Sequence, residues 1–100
     1  MAISALPVRY TEWEVTALFY SALHYLNAYL ETQGHSLRTH VDRNALANRL
    51  TNIGNEYSEL FRSSLRARYN FAKFTPQEVD EIRTGPFLRV KEEMLSLLGV

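Results

Sequence analysis

The chain reads as an all-α protein: an up-and-down bundle of four main helices, the last one broken at Gly85-Pro86. Three observations predict this. Apolar residues recur at helical spacing in four stretches. Helix-start signals stand near their heads, at Thr11 with Glu14, at Thr39 with Asp42, and at Thr75-Pro76-Gln77-Glu78. No run of alternating β-branched residues marks a strand. With 100 residues, 46% of them hydrophobic, a single domain over residues 1–100 is expected, large enough for a core and too small for two.

Residues 1–9 read as an extended leader, since Pro7 turns Leu6 away from helix. Thr11 and Glu14 make a capping box that would start the first helix. Val15, Leu18, Phe19, Ala22, Leu26, Tyr29 and Leu30 then form one broad apolar face. Behind it stand Trp13, Tyr20, His24 and Asn27, beside a small and polar seam of Glu14, Ala17, Ser21, Ala28 and Glu31. That second face is expected to meet a neighbouring helix or a twin subunit. Gly34 supplies the left-handed stop.

Thr39 caps the second helix, whose apolar positions are Val41, Ala45, Leu46, Leu50 and Ile53. Asn55 is the expected cap of the third, which carries Tyr57, Leu60, Phe61, Ser64 and Leu65 on one face. Arg62, Arg66 and Tyr69 lie on an adjoining stripe. In the fourth, Thr75 caps, Pro76 fills the first turn and Glu78 closes the box. Pro86 then opens a last segment with Phe87, Val90, Met94, Leu95 and Leu98. Its leucines have few polar neighbours, so a twofold interface is expected and with it a homodimer.

Eleven basic residues balance eleven acidic ones, which excludes a protein that coats nucleic acid indiscriminately. The balance is uneven along the chain. Residues 32–69 hold six arginines, at 38, 43, 49, 62, 66 and 68, against Asp42, Glu56 and Glu59. Arginine forks match phosphate and carboxylate bidentately. The absence of cysteine removes disulfides and thiolate metal sites and fits a reducing cytoplasm. No secretory leader and no membrane span are expected, because no apolar run approaches the roughly 20 residues a span needs.

The densest chemistry lies in His35-Ser36-Leu37-Arg38-Thr39-His40-Val41-Asp42-Arg43. An opening helix presents free N–H groups, and arginines beside it make a phosphate-sized site. A histidine there can move protons near neutral pH, so His40, His35 and Arg38 are the candidate catalytic set for metal-independent RNA cleavage. Arg38, Arg43, Arg62, Arg66, Arg68 and Tyr69 are the candidate phosphate or nucleic-acid contacts. The structural alternative is helix capping and local ion pairing with Asp42 and Glu59. Zinc ligation by His35 and His40 with His24 or Asp42 lacks a recognised spacing, and no metal or cofactor is expected. No glycine-rich phosphate loop or nucleophile elbow is present.

The blocks FYSALHYLNAYL, HSLRTHVDR and YSELFRSSLRARY resemble, in this order, the HEPN superfamily of small helical-bundle proteins. The resemblance covers roughly residues 10–75. It implies a bundle that commonly dimerises and works with nucleic acid, in toxin–antitoxin, CRISPR or other defence systems. Some members are ribonucleases and others are non-catalytic partners of nucleotidyltransferases. The nuclease signature, an arginine followed by four to six residues and a histidine, is missing. Arg9 has no histidine at that distance, Arg38 precedes His40 by two, and none follows Arg43. No catalytic residue is therefore carried over from the family. The expected function is a binding module for RNA or a nucleotide. The alternatives are an endoribonuclease using His40 or His35 with Arg38 or Arg66, and a protein-interaction or dimerisation module whose partner is an antitoxin or nucleotidyltransferase.

Overall fold

A computed structural model describes residues 10–35, 39–69 and 73–100. Its helices are α1 (Thr11–Thr32), α2 (His40–Leu50), α3 (Gly54–Tyr69), α4 (Pro76–Ile82) and α5 (Leu88–Leu98), with a π turn over Arg83–Phe87 joining the last two. No strand occurs among the described residues, and no helix of theirs is long and apolar enough to cross a membrane. The all-α bundle predicted from the sequence is what forms.

α1 is the spine. Val15, Phe19, Ala22, Leu23, Leu26 and Leu30 are buried along it, close to the face the periodicity picks out. α3 packs antiparallel on that face, so Phe19 meets Tyr57 and Phe61 at ring distances of 5.8 and 5.6 Å. The final helical run returns antiparallel to α3. Val79 joins Val15, Ala67 and Phe74 at one end, and Val90 and Met94 join the main core of Phe19, Leu26, Tyr57 and Leu60. Three long helical runs thus alternate in direction, and α2 is a short brace along α1 and α3.

The ends follow local chemistry. The Gly34 and His35 N–H groups return to the Glu31 and Leu30 carbonyls, both at 3.0 Å, with Gly34 at φ 84°. Thr39 Oγ1 accepts from the Asp42 N–H at 3.1 Å. At Thr75 both halves of the capping box form, at 3.1 and 2.9 Å. Two caps differ from expectation. The N-cap of α1 is Tyr10, and its side chain makes no capping bond; Thr11 is already inside the helix. α3 starts at Gly54 ahead of Asn55, its first turn closed by the Tyr57 N–H on the Ile53 carbonyl. Gly54 is buried where α2 crosses: a Cβ there would strike the Asn48 side chain and lie 2.8 Å from its Cα.

The interruption at Gly85-Pro86 takes the form of the π turn. Pro86 lacks an N–H and would crowd the carbonyl four residues back in a regular helix. Widening the turn relieves that crowding while the flanking residues Ile82 and Leu88 keep right-handed helical dihedrals.

Candidate functional site

The Thr39 cap sets His40 as the first residue of α2. From there its ring lies against Phe61 at 4.9 Å and Phe19 at 5.9 Å. Arg43 follows one turn later on the same side of the helix. Its Nε donates to Asn27 Oδ1 of α1 at 2.9 Å, and its Nη1 to His40 Nδ1 at 3.0 Å. A guanidinium only donates, so Nδ1 is the acceptor and the neutral imidazole keeps its proton on Nε2. Burial holds the His40 pKa below its ordinary 6.5, and the cations Arg43 and Arg68 push it the same way.

Arg68 comes from the far end of α3. Its Nε and Nη2 bond the carbonyl and hydroxyl of Ser64, one turn back, at 3.3 and 3.2 Å, and its Nη1 donates to the Tyr20 hydroxyl at 2.9 Å. The guanidinium lies 5.4 Å from the Tyr20 ring and 5.1 Å from the Tyr69 ring. Beneath the cluster, burial pushes the Tyr57 phenol up to about 12, with nearby Arg43 pulling against it. The Tyr57 hydroxyl is buried and completes no hydrogen bond of regular geometry.

The electrostatics are one-sided. Arg43 is only 8% exposed, yet its guanidinium donates to a neutral amide and a neutral imidazole. No carboxylate pairs with Arg43 or Arg68 among the described residues; the ion pairs there join Arg83 to Glu14 and Asp80, and Arg89 to Glu56. A buried cation without a counter-ion is uncommon, and a second guanidinium nearby deepens the deficit. Among the described residues the cluster therefore carries uncompensated positive charge.

Neither protein-family models, nor curated proteins, nor solved structures give a match to this chain.

Of the residues singled out in the sequence, His40, Arg43, Arg68 and Tyr69 come together here. Arg38 lies outside the described residues. His35 is half-buried at the turn after α1, its N–H holding the Leu30 carbonyl. Arg62 is exposed on α3. Arg66, about 200° round the helix from Arg68, stacks on Phe74 at 5.2 Å and lines a separate cleft with Glu59, Glu78 and Glu81. Among the described residues, no three histidine or carboxylate side chains gather as metal ligands. Sequence reasoning missed Asn27, Tyr20 and Ser64 as site residues. Tyr20 and Asn27 are seven apart on the second face of α1, a spacing that marks a shared stripe without naming its partners.

Proposed function

We propose that this chain is a HEPN-like, non-catalytic binding module for a phosphate-bearing ligand, RNA or a nucleotide, in a toxin–antitoxin or defence setting. The observation that carries the proposal is Arg43: a buried guanidinium held by neutral partners, with Arg68 close enough to act on the same imidazole. A phosphate oxygen would supply the missing charge, and the His40 Nε2–H and the remaining Arg68 N–H groups are the donors for it. The HEPN resemblance supports RNA over other polyanions.

Polarisation of a labelled single-stranded RNA across a salt series tests this. Wild-type binding should weaken steeply with salt, and Arg68→Ala should weaken it further and flatten the slope by about one. Arg68→Lys keeps the charge, so it should retain the slope better than Arg68→Ala. Salt-insensitive binding, or none to RNA or nucleotides, would sink the reading.

An endoribonuclease is the second reading, favoured by a neutral imidazole set among cations. RNA incubated with pure protein in EDTA separates the two. Cleavage lost in His40→Ala moves the conclusion to catalysis, and intact RNA leaves binding.

A further inference from the structure

The phosphate cluster leaves the aromatic surface beside it unexplained. Trp13 is 72% exposed, Tyr69 65% and Tyr20 39%. Singly exposed rings are ordinary, but here Tyr20 and Tyr69 lie against the Arg68 guanidinium and Trp13 lines a cleft with the same arginine. On its Trp13 side, Glu12, Trp13 and Thr16 of α1 and Ala67 and Arg68 of α3 line a cleft of about 370 Å³. That lies within the roughly 300–1,000 Å³ of small-ligand sites. The Thr16 hydroxyl is turned back onto the Glu12 carbonyl at 2.8 Å, so its own donor is already used. Among the described residues that line it, the cleft carries one carboxylate, Glu12, which accepts from the adjacent Thr11 hydroxyl at 3.4 Å, and one cation, Arg68.

We infer that this cleft takes a guanine base, carried either on a free nucleotide or on single-stranded RNA. The inference rests on the phosphate-binding reading above and supplies what lies next to the phosphate. The open indole face of Trp13 stacks the base, an interaction every base can make. Selectivity comes from Glu12. An ionised carboxylate only accepts hydrogen bonds. Guanine alone among the four RNA bases offers two adjacent donors on its Watson–Crick edge, N1–H and the N2 amino group. Adenine and cytosine set a ring-nitrogen acceptor beside their amino group, and uracil flanks its one N–H with two carbonyls. Arg68 closes the other side of the cleft and directs the phosphate toward His40 and Arg43.

The chain has one tryptophan, so emission excited at the red edge, where its six tyrosines do not absorb, reports Trp13 alone. Titration with guanosine monophosphate should change that emission saturably, about ten-fold tighter than adenosine, uridine or cytidine monophosphate. Glu12→Gln should erase most of that preference, because its amide opposes one of the two donors. Trp13→Ala should cost about ten-fold in affinity for an oligouridylate carrying one central guanosine, with partial rescue in Trp13→Phe. Trp13 is largely exposed, so neither change threatens folding. Comparing that oligonucleotide with the mononucleotide distinguishes the source. Much tighter binding of the strand makes RNA the carrier, and equal binding makes it the free nucleotide. Guanine-blind binding, or salt-sensitive RNA binding that leaves the Trp13 emission unchanged, would overturn the cleft while leaving the phosphate reading standing. Absence of all binding would overturn both.

Discussion

Holding a guanidinium at Arg43 against neutral partners alone costs stability, and His40 shares that cost. Its imidazole is partly buried against Phe61, accepts from Arg43 and feels the Arg68 charge, so protonation is disfavoured in the folded chain. The unfolded chain keeps the ordinary value of 6.5 and takes up the proton first as pH falls. The His40 contribution is therefore complete above about pH 6.5 and is lost progressively on acidification through the lowered folded pKa. Thermal melts from pH 7.5 to 5.0 should show the melting temperature falling in wild type. His40→Gln should fall less over the same range, and parallel curves would refute the assignment. The sequence signalled that His40 and Arg43 carry chemistry, but it placed Val41 in the core. Val41 is 76% exposed and Ala45 is exposed as well; Leu46 is buried as expected, and Arg43 and Ala47 take the other inner positions. Hydrophobic pattern alone cannot foresee a buried arginine whose donors are met by Asn27, sixteen residues away.

At the scale of the helices, short range helped without deciding the outcome, since the equally local Thr11–Glu14 box did not form and Tyr10 is the N-cap. The Gly34 stop, the Thr39 cap and the Thr75 box use partners within five residues, and each formed as read. The start of α3 did not, because it is decided by the crossing of α2 at Asn48. The two interior glycines consequently behave differently. Gly54→Ala should destabilise by about 1–3 kcal/mol through the forced contact. Gly85→Ala meets nothing within 4 Å and should be neutral or stabilise by up to about 1 kcal/mol. Urea midpoints of the two variants give the comparison, and equal shifts would refute the close-approach account.

For the whole molecule, the sequence led to the bundle because the core is carried by long, strongly periodic helices. It could not show that α2 and the end of α3 deliver His40, Arg43 and Arg68 to one place, since that depends on how the helices cross. It also expected the second face of α1 to be covered. Tyr20 and Asn27 are engaged, but His24, Ser21 and Ala28 remain exposed. They border an apolar groove of about 520 Å³ against Phe87, Leu95 and Leu98, with Leu97 and Val100 exposed at the adjoining chain end. The homodimer expected from the sequence would close over this groove. Light scattering after gel filtration should give a dimer mass that Ala28→Arg reduces to monomer, while a monomer at all concentrations would remove the assembly.

The π turn over Arg83–Phe87 also keeps count for the last helix. Ile82, just before it, touches both core clusters; Val79 on one side belongs to the smaller, and Val90 and Met94 on the other to the larger. A widened turn holds about one residue more than a regular one, which resets the angular phase by about 100°. The extra residue works as an indexing step, aiming two stretches of one helix at two different targets. Shortening the turn by one residue would make the helix more regular and point Val90 and Met94 away from the core that they fill.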